Sequence, residues 1–271
     1  MARLVREVRL HVTAAPAAMP TGGALSPNGY AGTPPMDPLA TFFALQVGLA
    51  GTPDPATGYL CNIKRVDAAV RARGAPVLQA LLAKGTFTHA RVLGQLYGEL
   101  RDAWPGVTLE RLRLRLSPYM AIEHFAKEPT MIRLSQRFEF SAAHRLHVPS
   151  LSDEANRAAF GKCNNPNGHG HNYELQVTVA GTPDATGRLM PTADLERIVG
   201  ETVIDRFDHK HLNVETTEFA TLNPSVENIA AVIYRLLAVP LRTATTRLSS
   251  VTVWETPKTW CEVSEDDAAV F

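Results

Sequence analysis

Two segments of this chain read almost alike. FALQVGLAGTPDPATGYLCNIKRVDAAV, from Phe43 to Val70, is matched by YELQVTVAGTPDATGRLMPTADLERIV, from Tyr173 to Val199. The offset is 130 residues, and the inserted Pro55 brings it to 129. The likeness extends outward. HVTAAPAA, from His11, resembles FSAAHRL, from Phe140. HARVLGQLYGEL, from His89, resembles VENIAAVIYRLL, from Val226. LRLRLSPYMAIE, ending at Glu123, resembles VTVWETPKTWCE, ending at Glu262. Self-similarity at this spacing indicates one folding unit present twice. The expected units are 1–128 and 129–271, with a seam near Lys127–Thr130.

Each half has the same coarse order. An alternating strand, a long loop and a second strand come first. A Gly/Pro/Thr-rich turn, two helical regions and a closing strand pair follow. In the second half Asn223-Pro224 reads as a helix start, with Asn as N-cap and Pro in the first turn. Ile229, Val232, Ile233 and Leu236 form its apolar stripe. This order predicts an α+β fold: two units, each a four-stranded antiparallel sheet with two helices on one face. Such a sheet leaves two edges open, and joining sheets between units into a closed barrel would remove them. Self-association is therefore expected.

Composition narrows the partners. Lys+Arg and Asp+Glu are both 27 in 271 residues, so the formal net charge is zero. A broad electrostatic grip on nucleic acid or an anionic membrane gets no support, and a small molecule is the expected partner. No apolar run approaches the ~18 residues of a membrane-spanning helix. Arg6, Glu7, Arg9 and His11 interrupt the first residues, which favours a strand over a secretion signal. Cys61, Cys163 and Cys261 are far apart and odd in number. They suit a reducing, cytoplasmic setting.

The second half carries the polar residues. Side chains two apart on a strand share a face. Phe138, Phe140, Ala142 and His144 form one such row, and His169, His171, Tyr173, Leu175 and Val177 another. Three imidazoles from neighbouring strands suit a zinc ion with one position left open. A histidine pair on a strand also occurs as plain polar surface, and His144 alone could be a hydrogen-bonded core residue. Cys163 lies in the turn-rich loop GKCNNPNGHGH, where it could be a ligand, a base or a buried thiol. Glu255 ends the row Val251, Val253, Glu255; it would either reach water or grip a ligand with two adjacent N–H donors. Asp208-His209 could be an acid/base pair or a helix end complementing its dipole. Glu227 falls in a first helical turn, where a carboxylate is favourable anyway.

Together these segments resemble a known family. FEFSAAHRLHVPSLSDEANRAAFGKCNNPNGHGHNYELQVTVAG, then DHKHLN, NPSVENIA and VWET, are similar in content and order to 6-pyruvoyl tetrahydropterin synthases, over Met131 to about Glu262. The resemblance implies the tunnelling fold, in which sheets from several units close a barrel. It implies a zinc-dependent lyase acting on 7,8-dihydroneopterin triphosphate, with Mg²⁺ a second ion expected to accompany the triphosphate. It places zinc on His144, His169 and His171. It makes Cys163 the catalytic cysteine, Asp208 and His209 its acid/base partners, and Glu255 a catalytic and pterin-anchoring carboxylate. Glu227, besides its place in a helix's first turn, could add a secondary substrate contact. Arg145, Lys162, Lys210 and His211 are basic residues near enough in sequence to meet the triphosphate.

Three alternatives stand beside that reading. A related family, the 6-carboxytetrahydropterin synthases of the queuosine pathway, uses the same substrate and releases acetaldehyde. It typically shows C-x3-H-x-H, whereas this chain has C-x5-H-x-H. The chain could also be a non-catalytic zinc or pterin-binding module, or a generic three-histidine zinc hydrolase, which leaves Cys163 and Glu255 without a role. The first half departs from the pattern. Pro16 stands opposite His144, Thr33 opposite Cys163, Leu39 and Thr41 opposite His169 and His171, Ala90 opposite Glu227 and Leu116 opposite Glu255. It is expected to keep the fold without the site. A homotrimer of two-unit chains would then supply six units.

Overall fold

In a computed structural model, residues 1–14 and 40–267 are described. Pro16, Thr33 and Leu39 lie outside the described residues. The chain divides into two compact units. One is Met1–Leu134 with Gly181–Leu189; the other is Ser135–Ala180 with Met190–Phe271.

The first unit is built on β1 (Ala2–Val12), β2 (Thr41–Gly51), β3 (Val107–Arg115) and β4 (Met120–Phe125), side by side in that order. All three pairings are antiparallel. Period-two patterning explains the register: Val8, Leu10 and Val12 are buried and sit opposite Leu45, Phe43 and Thr41. Helices α1 (Ile63–Ala69) and α2 (Ala75–Ala83) run into one another through a π-helical turn, Val70–Gly74. With α3 (His89–Leu100) they cover the sheet, burying Val66, Leu78, Leu93 and Leu96.

The second unit orders its strands β5 (Ile132–His144), β6 (His169–Gly181), β8 (Thr246–Thr256) and β9 (Thr259–Ser264). A two-residue strand, β7 (Lys210–His211), lies parallel to β5. Helix α5 (Thr192–Val199) passes through a π-helical turn, Gly200–Ile204, into α6 (Asp205–Phe207). The one-turn α7 (Leu212–Glu215) follows β7, and α8 (Val226–Ala238) packs on β8 and β9. The fold class is α+β, as the element order predicts.

The matched turns have matched chemistry. Asp54 accepts hydrogen bonds at one carboxylate oxygen from Ala56 N, Thr57 N and Thr57 Oγ1, at 2.8–3.1 Å. Asp184 accepts from Thr186 N, Thr186 Oγ1 and Arg188 N, at 2.7–3.1 Å. Each turn closes on a glycine of positive φ, Gly58 at 71° and Gly187 at 80°, a conformation that a Cβ would strain.

Three local expectations are corrected. The cap of α8 is Ser225, whose hydroxyl accepts from Asn228 N, and the helix starts at Val226. Asn223 is spent elsewhere: its side chain accepts from His147 N and its carbonyl from Asn228 Nδ2. The buried stripe of α8 ends in Leu237 rather than Leu236, because Leu237 completes the row from Ile229 and Ile233 at helical spacing. The connection from β5 to β6 is no plain loop. It holds α4 (Asp153–Phe160), capped by Ser152 and pinned by the buried Asn156, whose amide serves the carbonyls of Val148, Leu151 and Ser152.

Candidate active site

The strands bring the three histidines together. His144 ends β5 and His169 and His171 open β6, so alternation aims all three rings to one side. One ring nitrogen from each lies within 4.8 Å of the other two. His144 Nε2 is 3.1 Å from His169 Nε2. Two nitrogens bound to one tetrahedral zinc at 2.0–2.1 Å would stand roughly 3.3 Å apart, so the spacing fits.

Surrounding groups fix how the rings present themselves. His144 is fully buried, and its Nδ1 is 2.7 Å from the carbonyl of Pro224. A carbonyl only accepts, so Nδ1 carries the proton and Nε2 offers its lone pair to the cluster. Burial pushes His144 down to about 4, against the opposing Pro224 hydrogen bond. The ring is therefore neutral near pH 7, as a ligand must be. Burial also lowers His169. His169 Nδ1 and His171 Nε2 are buried without a hydrogen-bond partner among the described residues. His171 Nε2 has a Glu255 oxygen at 3.5 Å but no hydrogen bond, and a cation held there would satisfy its lone pair. The donor set thus fits a divalent ion, with His144, His169 and His171 as its holders.

Glu255 joins them through an irregularity of the sheet. Trp254 pairs with Trp260 and Thr256 with Thr259, leaving Glu255 as the extra residue of a bulge. Bulges re-aim side chains. Here the carboxylate is only 18% exposed, with Oε1 3.4 Å from His144 Nε2 and 3.5 Å from His171 Nε2. It does not simply reach water. Tyr173, wholly buried on the same row of β6, closes the floor, its hydroxyl 3.5 Å from His144 Nδ1. Burial holds that phenol protonated.

Cys163 sits in a single 3₁₀ turn, Gly161–Asn164, before β6. Its carbonyl accepts from Leu146 N, tying the turn to the end of β5. The thiol is partly buried. Burial first, then the Glu255 carboxylate, push it up, so the protein groups alone keep it a thiol. A divalent cation on the histidines has the opposite effect. A cavity of about 710 Å³ opens beside Cys163 and His169.

Asp208 and His209 form the expected pair. His209 Nδ1 is 2.7 Å from Asp208 Oδ2, and Asp208 Oδ1 accepts from Ser141 N at 2.7 Å. That backbone hydrogen bond, above all, holds the Asp208 carboxylate below its usual range. His209 adopts φ 56°, a conformation non-glycine residues rarely take, and its N–H donates to Ser141 O at 2.6 Å. Its ring is 83% exposed, whereas His144 is buried and His169 and His171 are half-buried. Glu227 is exposed in the first turn of α8, where its charge acts on the Cys261 thiol. Within one chain the structure gathers His144, His169, His171, Glu255 and Cys163; among the described residues, Asp208 and His209 bond to each other and to Ser141, and Glu227 acts on Cys261.

Some members had no sequence signal. Nothing local marks Pro224 as the acceptor that orients His144, 80 residues away. The glycine before His169 carries one that is easily overlooked. Gly168 has φ 73°, and a Cβ there would meet His211 Nε2 at 2.6 Å and His144 O at 3.0 Å. The turn that delivers His169 thus tolerates only glycine.

Known proteins resemble this half of the chain. The family model for 6-pyruvoyl tetrahydropterin synthase matches residues 133–266. The 6-pyruvoyl tetrahydrobiopterin synthase of Homo sapiens is 48% identical over 103 residues, covering 38% of this chain and 71% of the human protein. The 6-carboxy-5,6,7,8-tetrahydropterin synthase of Haemophilus influenzae is 28% identical over 159 residues, covering 50% of this chain and all of that protein. The structure of Caenorhabditis elegans 6-pyruvoyl tetrahydropterin synthase aligns with 49% of this chain and 95% of its own, at 36% identity and a TM-score of 0.47. The human match is 48% identical and spans 71% of its relative, and the family model spans the residues where the histidines converge; through this half, the chain belongs to the 6-pyruvoyl tetrahydropterin synthase family.

Proposed function

We propose that the protein is a zinc-dependent lyase that converts 7,8-dihydroneopterin triphosphate to 6-pyruvoyl-tetrahydropterin, with loss of triphosphate. The observation that carries this reading is the convergence of His144, His169 and His171 beside Cys163 and Glu255. Bound there, Zn²⁺ would acidify the hydroxyls of the substrate side chain. His144, His169 and His171 would hold it as neutral imidazoles. Cys163, on the rim of the cavity, would take a proton from the side chain. Glu255 would hold the pterin through its adjacent N–H donors, both oxygens accepting. Asp208 would orient His209 as the second acid/base group. His209 is exposed on its own chain, so its substrate would lie on a neighbouring unit. Glu227 is assigned a secondary substrate contact on the same basis, and Mg²⁺ would accompany the triphosphate.

The C-x5-H-x-H spacing supports the pyruvoyl product, while the Haemophilus match supports the 6-carboxy alternative. Zinc-loaded protein incubated with 7,8-dihydroneopterin triphosphate should release triphosphate and little acetaldehyde. Abundant acetaldehyde would sink the pyruvoyl assignment. Cys163→Ala should keep its zinc and lose roughly 10²–10⁴ in kcat. Activity that survives changes at both Cys163 and Glu255 would return the chain to the hydrolase reading, and no turnover in the wild type to the binding-module reading.

The first unit is proposed to be a degenerate second copy of the same fold. The paired π-helical turns, Val70–Gly74 in one unit and Gly200–Ile204 in the other, support this. Its role would be to supply sheet edges to a barrel made by a homotrimer in the cytoplasm. A native mass of one or two chains would overturn the trimer. No helix among the described residues is long and apolar enough to cross a membrane.

A further inference from the structure

The cavity beside Cys163 has a second chemical character. Its wall carries Arg145, Arg157 and Lys162, with Asp153 as a single acidic neighbour. Three cations facing one carboxylate leave a net positive pocket in a chain of zero net charge. Such cations on a surface usually pair with nearby acids. Arg157 and Lys162 make no ion pair among the described residues, though Asp153 shares their cavity. Arg145 is held in place: its backbone is clamped by Asn213, N–H to Oδ1 at 2.8 Å and carbonyl to Nδ2 at 3.0 Å. Its guanidinium spends Nε on the carbonyl of Asn164 at 3.2 Å, which leaves the two terminal nitrogens for a partner. A planar fork held at its base suits a phosphate group, and two exposed cations beside it suit a longer anion.

We propose that Arg145, Arg157 and Lys162 form a polyphosphate subsite that receives the triphosphate arm of the substrate. This deepens the reading of the site as a pterin triphosphate lyase and rests on it. The geometry sorts the basic residues named from the sequence. Arg145 and Lys162 share the cavity with Cys163 and His169, whereas Lys210 and His211 are absent from its lining. Arg157 has no sequence motif; α4 brings it there, one turn before Gly161. An arm lying along this wall would leave its carbon end at Cys163 and the histidines, with the outer phosphates at the mouth, ready to depart as product.

The test is calorimetric titration of the full chain with inorganic tripolyphosphate. It is run on zinc-loaded protein and, because tripolyphosphate chelates zinc, again on metal-free protein. Wild type should bind in both forms. Arg157→Gln and Lys162→Gln should each weaken binding by about tenfold or more, with unchanged thermal midpoints. Lys84→Gln, an exposed charge on the first unit, should change nothing. Equal affinity in all variants, or equal weakening by Lys84→Gln, overturns the subsite. Kinetics separates its failure from that of the lyase reading. Normal turnover with an unchanged KM in Arg157→Gln sinks the subsite and leaves the lyase. Tripolyphosphate binding through these residues without wild-type turnover sinks the lyase and leaves an anion site.

Discussion

The two units use the same apolar rows for the same purpose and differ at the ends of their strands. Leu45, Val47 and Leu49 on β2 are buried, as are Leu175, Val177 and Val179 on β6. Each row continues to the strand's first residues. In the second unit it ends in His171 and His169; in the first, β2 starts at the exposed Thr41. The repeat read from the sequence sets Leu116, just past β3, opposite the bulge residue Glu255. Core positions need only volume and apolarity, which many residues meet. Site positions need particular atoms at particular distances, and there one substitution removes the chemistry while the sheet persists.

The comparison breaks most sharply at the histidines. His144→Ala should abolish zinc binding measured by elemental analysis. The loss in affinity should exceed about a hundredfold, since even outer partners of ligand histidines are worth roughly 10–100-fold. Thr41→Ala should leave zinc content untouched. Zinc retained by His144→Ala would remove the metal site from this cluster.

Stability probes whether both rows are cores. Leu45→Ala and Leu175→Ala each truncate a side chain with no exposure and should each cost about 2–5 kcal/mol in denaturant unfolding. A cost near zero for Leu45→Ala alone would show that the first unit does not hold a packed core in solution.

The smallest effect concerns the paired turns. Thr57 and Thr186 hydrogen bonds hold the Asp54 and Asp184 carboxylates below the usual range. A carboxylate lowered in the folded state contributes stability above its unfolded pKa of about 3.9, and that contribution fades as pH falls through the folded value. Melting temperature should therefore decline below about pH 4, and less steeply in Asp54→Asn and Asp184→Asn. An effect at one turn and not the other would separate the two copies of the motif.

Much of the fold was legible because short-range physics dictates it. Alternation fixed β1 and β6, and the Asp-Thr-Gly turns were spelled out twice. The helix in the β5–β6 connection was missed because its buried face is little more than Asn156, a residue that periodicity counts as polar. The α8 start was misplaced because Asn223-Pro224 and Ser225 both satisfy local capping rules. The tertiary contact to His147 decided between them.

By itself, the sequence determined which side chains share a strand face, and hence that His144, His169 and His171 could meet. The period of two is a property of the backbone. Only the tertiary structure decided that Pro224 turns His144 Nε2 inward, that a bulge swings Glu255 onto two imidazoles, and that α4 sets Arg157 beside Cys163. Those contacts join residues far apart in the chain. Their energies depend on distance and burial, which no local pattern encodes.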